Sequence, residues 1–203
     1  MSINVCNDRS MASITSLPSG VSGSSLVLIS EQTASSSSNI SFTSGIDSTY
    51  KEYVFKFINI HPATDNTDLT FNGSTDSGSN YNVTKTTTMF RAIHNEAGND
   101  TELGYDTGGD LAQSTNFQSL IRSIGTDNDQ CGIGTLHLFD PSNTTFVKHF
   151  IQTSNSYGSA SNDYSRNQFF AGYLNTTSAI DAVQFKMSSG NIDAGTIKMY
   201  GVV

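Results

Sequence analysis

Ten short runs of alternating or continuous apolar residues follow one another from Ser25 to the C-terminus, each bounded by Gly, Asn, Asp, Ser or Thr: SLVLIS, ISFTS, YVFKFINI, DLTFNG, YNVTKTTTMFRAI, TLHLF, TFVKHFIQ, QFFAGYL, AVQFKM and TIKMYGVV. Runs of this length with a period near two predict strands, and the turn residues between them predict short connections. In the last hairpin Val183, Phe185 and Met187 share one face, while Ala182, Gln184 and Lys186 share the other. In TFVKHFIQ the face assignment is mixed, because Phe146, Lys148 and Phe150 oppose Thr145, Val147 and His149. Only LAQSTNFQSLIRSI carries apolar residues at helical spacing, at Phe117, Leu120, Ile121 and Ile124. Its Ser-rich surroundings and neighbouring strands favour strand or irregular structure. The expected fold is therefore all-β, an antiparallel β-sandwich, with the long loops and late final strand of a jelly roll. An immunoglobulin topology lacks its Cys...Trp...Cys spacing, since the chain has no Trp. No internal repeat suggests a propeller or a β-helix.

At 203 residues the chain suits one substantial domain with an arm. Residues 1–24 are polar and punctuated by SLPSGVSGSS, which predicts an N-terminal arm or linker; residues 25–203 form the expected β-sandwich domain. The final strand runs to the last residue, where no tail is expected to follow. The N-terminus lacks the basic start and apolar stretch of a secretory signal, and no run of 18 apolar residues predicts a transmembrane helix. Charged residues make up only 14% of the chain, against about 25% in average globular proteins, so neutral hydroxyls and amides must hydrate the surface. The formal net charge is −8, and Lys and Arg never cluster along the sequence. Direct nucleic-acid binding is disfavoured, because a phosphate-binding face needs clustered cations.

Motifs that carry chemistry are sparse. His61, His94, His137 and His149 show no metal-ligand spacing, and neither HExxH nor CxxC occurs. Asp127 and Asp129 open like a calcium loop, yet the remaining acidic ligands are missing. The acidic stretches 65–68, 99–110 and 125–130 read as solvated loops. Serines have no GxSxG or SxxK context, and Asp106 and Asp110 are an unremarkable carboxylate pair. Cys6 and Cys131 are expected to be free thiols, and the six Asn-x-Ser/Thr sequons reflect composition. No catalytic residue, metal or cofactor is expected. Tyr105, Tyr157, Tyr164 and Tyr173, in or near loops, could offer stacking surfaces to a sugar, although a loop tyrosine more often packs its ring and wets its hydroxyl.

Four stretches, ISFTSGIDSTYKEYVFKFINIHPATD, LTFNGSTDSGSNYNVTKTTT, DNDQCGIGTLHLFDPSNTTFVKHF and SGNIDAGTIKMYGV, together resemble a family of small β-rich virion structural proteins of marine tailed bacteriophages, including those of cyanobacteria. The resemblance covers residues 25–203 and is most specific in the closing stretch. It implies a role on the virion and carries over no catalytic motif; the expected protein is non-enzymatic and sits on the outer surface. The leading expectation is a capsid decoration (cement) protein, a homo-trimer bound to the major capsid protein through its arm, without direct nucleic-acid contact or membrane insertion. The alternative is a receptor-binding or carbohydrate-binding module of a tail or head fibre, recognising host surface polysaccharide through Tyr105, Tyr157 and Tyr164.

Overall fold

The computed structural model describes residues 25–158 and 163–203; the expected arm, with Cys6, lies outside the described residues. Twelve strands follow in chain order: β1 (Leu26–Ser37), β2 (Ile40–Phe42), β3 (Glu52–Pro62), β4 (Thr67–Ser74), β5 (Lys85–Asn95) and β6 (Thr101–Tyr105), then β7 (Gln118–Ile124), β8 (Gly132–Phe139), β9 (Lys148–Gly158), β10 (Tyr164–Leu174), β11 (Ala182–Met187) and β12 (Ile192–Val202). No helix occurs among the described residues, so the all-β reading holds.

Among the described residues every pairing is antiparallel, and all the strands join one network. Its main path runs β1-β12-β3-β8-β9-β7-β4-β11-β2, and β10, β5 and β6 extend outward from β9 in that order. The two ends of the path are β1 and β2, which only Ser38 and Asn39 separate in sequence. They also approach in space, where Gln32 Nε2 donates to the Ser41 carbonyl at 2.7 Å. The sheet thus nearly closes on itself like a barrel. The shortest ladder on the path is between β7 and β9, where one residue pair, Ile124 and Gly158, makes it.

Alternation builds the interior as the final hairpin predicts: Val183, Phe185 and Met187 are all buried. Phe185 sits at the centre of an aromatic cluster, with ring centroids 5.4 Å from Phe55, 5.2 Å from Phe57 and 6.2 Å from Phe42. Phe71 joins Phe150 at 5.0 Å on the far side. These rings come from β2, β3, β4, β9 and β11, so the core ties opposite walls together rather than neighbours along one strand. Each buried Phe contributes roughly 1.5–3 kcal/mol through area removed from water.

Three sequence readings need correction or completion. First, the stretch 99–110 is not all loop, because β6 lies inside it, and β4 begins within 65–68. Second, the helical spacing of Leu120, Ile121 and Ile124 is the signature of a bulged strand. β7 pairs with β4 through two register shifts, and Ser123 sits at φ 56°. Such bulges turn successive residues to one face, so all three are fully buried. Third, the mixed faces of TFVKHFIQ resolve with Lys148 and Phe150 inward; the Lys148 ammonium donates to the carbonyls of Phe146 and Thr176 at 2.9 and 3.1 Å. A further bulge joins β3 to β12, where Asn59 has φ 50° and Gly195 φ 120°. A Cβ on Gly195 would stand 2.7 Å from the Asn59 carbonyl oxygen, so only glycine fits there.

Candidate functional site

The extension β9-β10-β5-β6 has two faces of different chemistry. Its inner face is buried and polar. Ser154 and Ser156 donate to the Leu120 and Arg122 carbonyls at 2.8 and 2.9 Å, and the Arg122 N–H donates to Gln168 Oε1 at 3.0 Å. Gln118 accepts from the Thr87 hydroxyl at 2.6 Å and donates to the Gly109 carbonyl at 2.8 Å. Ser154, Ser156 and Gln168 serve backbone groups of β7, while Gln118 of β7 reaches out to Thr87 and Gly109. Polar residues occupy core positions here because an unmet buried carbonyl costs about 1–3 kcal/mol.

Beside them lies an ion-pair cluster that the spacing along the chain hides. Asp106 Oδ2 accepts from Arg91 at 2.5 Å and from Arg122 at 2.7 Å, while Arg91 also meets Glu102 at 3.1 Å and Arg122 meets Asp68 at 3.3 Å. Burial works against the charge of Asp106, yet Arg122, the Gly108 N–H and Arg91 hold its carboxyl below the usual range. Arg166 donates to Ser123 Oγ at 2.9 Å in the same region. The folded chain therefore does gather arginines, but Asp68, Glu102 and Asp106 neutralise them. Asp106 is committed to this network, and Asp110 accepts the Tyr105 hydroxyl at 2.6 Å, so the pair is not arranged as acid and base.

The outer face forms three rows across the strands. One runs Thr135, Thr153, Phe169, Phe90, Tyr105; on either side run His137, Ile151, Ala171, Thr88 and Ile133, Asn155, Asn167, Ala92, Leu103. No Asp, Glu, Lys or Arg stands in these rows from β8 to β6, in a chain of net charge −8; Lys56 of β3 borders them beside Thr135. Phe90 and Phe169 stack with centroids 4.6 Å apart and planes 10° from parallel, and Phe90 remains 46% exposed. Ile133, Ile151, Leu103 and Tyr105 are exposed as well. Two grooves of about 460 Å³ cross this face, one between Lys56, Ile58, Ile133 and Asn167 at its β3 border, the other between Phe139, Ile151 and Tyr173.

The tyrosines named from the sequence do not form one site. Tyr157 and Tyr164 line a groove of about 320 Å³ with His94 and Glu96 at one end of β9 and β10. Loss of solvent around the Tyr157 hydroxyl, with the carboxylates of Asp163 and Glu96 nearby, pushes its pKa up to about 12. Tyr164 donates to Asp100 at 2.7 Å. Tyr105 stands apart on β6, its pKa raised by the hydrogen bond to Asp110. Tyr173 packs near His149, with ring centroids 5.9 Å apart.

Among the described residues no group of three or more His, Cys, Asp or Glu converges on a point where a metal ion could sit. His137 Nδ1 meets Glu52 at 2.5 Å, and His61 lies 3.6 Å from Asp193. Asp127 is engaged in a turn, its carbonyl accepting from the Gln130 N–H at 2.9 Å. Cys131 is a free, half-buried thiol whose pKa burial raises. No helix among the described residues is long and apolar enough to cross a membrane. No protein family, curated protein or solved structure matches the chain.

The residues of the outer face missed by sequence reading are Phe90, Phe169, Ile151 and Leu103. For Ile151 the signal is an apolar residue opposite inward Gln152, Ser154 and Ser156; Phe90, Phe169 and Leu103 carry no such local signal.

Proposed function

We propose that this protein is a non-enzymatic structural component of a bacteriophage virion, a decoration module that docks on the capsid through the outer face of the extended sheet. The observation that carries the reading is the uncharged face around the Phe90–Phe169 stack. Interface centres are depleted in charge and enriched in aromatic residues, and soluble chains rarely leave such a patch free. The phage assignment itself rests on the sequence resemblance.

The winding supports a jelly roll within the nearly closed sheet. The strands fall into two groups of neighbours, β1-β12-β3-β8 and β7-β4-β11-β2. Each consecutive pair β1/β2, β3/β4, β7/β8 and β11/β12 divides between the groups, which is how two Greek keys wind into one roll. The pairs β5–β6 and β9–β10 are then insertions that widen the first group and create the docking face. The test is the copy number of the protein in purified virions relative to the major capsid protein. A near-stoichiometric ratio is expected; a few copies per particle would move it to the tail, and absence would overturn the virion reading.

A second reading, host polysaccharide binding on a fibre, is favoured by the groove that joins Tyr157, Tyr164 and His94. Purified protein that binds host cells and competes with infection would support it over decoration.

A further inference from the structure

The widened sheet ends in a strand that is unprotected. β6 pairs with β5 on one side, and among the described residues no strand pairs with its other side. Four of its five residues are exposed, and Leu103, at 77%, is among the most exposed large apolar side chains of the described residues. Proteins blunt such edges with Pro, Lys, bulges or inward charges that repel a newcomer. β6 has no Pro, no Lys and no residue at positive φ, and its single charge, Glu102, is drawn onto Arg91 at 3.1 Å.

We propose that β6 pairs antiparallel with β6 of a second copy of this chain, about a two-fold axis beside Leu103. The register follows from charge and parity. A two-fold perpendicular to the sheet keeps the outer faces of both copies on one side, so residues that oppose each other must share a face. Centring on the end residues Thr101 or Tyr105 would leave most of the strand unpaired, so three centres remain. Pairing about Glu102 sets Glu102 against its own copy, and pairing about Gly104 sets Glu102 against Asp106. Both bring like charges together, which destabilises a cross-strand pair. Pairing about Leu103 sets Glu102 against Gly104, Thr101 against Tyr105 and Leu103 against Leu103. It also buries the exposed leucine and extends the uncharged outer face across the axis. The contact is isologous and closes at two copies, in place of the three expected from the sequence, and it holds whether or not the protein sits on a particle.

Sedimentation velocity of the full chain tests the pairing. The expected mass is twice the 21.8 kDa of one chain, in a concentration-dependent equilibrium. Leu103→Lys should be monomeric with unchanged circular dichroism and unfolding temperature, because the side chain is solvent-exposed in the single copy. Leu103→Cys should form a covalent dimer under mild oxidation, since directly opposed residues of an antiparallel pair have Cα atoms about 4.5–5.5 Å apart, within the roughly 4.4–6.8 Å that a disulfide spans. A monomeric wild type, a mass of three chains, or a dimer that survives Leu103→Lys overturns the proposal. The capsid reading stands or falls separately, on copy number in virions.

Discussion

Phe90 of β5 and Phe169 of β10 are directly opposed in the ladder and stacked on the solvent side, ring centroids 4.6 Å apart. A pair of this kind adds about 0.5–1.5 kcal/mol beyond its buried area. Changing both to Ser should therefore lower stability by only about 1–2 kcal/mol while removing the apolar centre of the docking face. The expected outcome is a folded protein that no longer binds capsids stripped of it, measured by co-sedimentation against wild type. Undiminished binding by the double variant would sink the docking role of this face.

Lys85 gives the fold a pH dependence. Its side chain is fully buried, its ammonium donates to the Asn116 carbonyl at 2.6 Å, and burial pulls its pKa from 10.5 to about 7. The unfolded chain keeps this proton up to its ordinary pKa, whereas the folded chain releases it above about 7. Stability is thus penalised in full below that value and rises with pH between the two pKa values, by up to about 1.4 kcal/mol per pH unit. Lys148, also shifted down by burial, acts in the same direction. Urea unfolding between about pH 7 and 9 should show this rise, and Lys85→Met should flatten most of it. An equal slope in the variant would show that Lys85 is not the titrating group.

How much of this was legible in the sequence divides along the two faces of the strands. Where one face is apolar and the other polar, as with Val183, Phe185 and Met187, the period-two pattern places each residue correctly. In β9 the pattern fails, because Gln152, Ser154 and Ser156 point inward while Ile151 points out. Those inward polar residues exist to serve or flank β7, a partner distant in sequence, and no local window can reveal that debt. The outer face is equally hidden, since it assembles single residues from five strands in an order that only the pairing defines. The helical spacing around Ile121 has a non-local origin too, a bulge set by register against β4, in a segment whose strand reading holds.

Asp106→Asn should destabilise the inner face. The substitution leaves Arg91, Arg122 and Arg166 with only Asp68 and Glu102, and Asp106 is mostly buried where it meets Arg91 and Arg122. A loss of about 2 kcal/mol is expected, between the small value of an exposed pair and the larger one of a fully buried pair. Because the folded carboxyl titrates below its ordinary value, its contribution is present above about pH 4 and fades as pH falls through the lowered pKa. The gap between wild type and variant, read from unfolding temperature, should therefore narrow in acid. A gap that is constant with pH would show that geometry, not charge, is what Asp106 supplies.

Gln152 is the most exposed to redesign of the buried polar residues. It is fully buried on β9, opposite Leu136 on one side and Phe170 on the other, and neither its amide nitrogen nor its carbonyl oxygen has a hydrogen-bond partner among the described residues. Each unmet group carries a desolvation penalty of about 1–3 kcal/mol that an apolar side chain of similar volume does not. Gln152→Leu should raise stability by at least about 1 kcal/mol. For a domain of this size that shifts the unfolding temperature upward by about 2–4 °C per kcal/mol. Its neighbour Gln168 provides the control: that amide bonds Arg122 N–H at 3.0 Å and Ser156 at 3.2 Å, so Gln168→Leu should destabilise. If both variants lower the unfolding temperature alike, Gln152 is satisfied by a partner such as bound water and its penalty is absent.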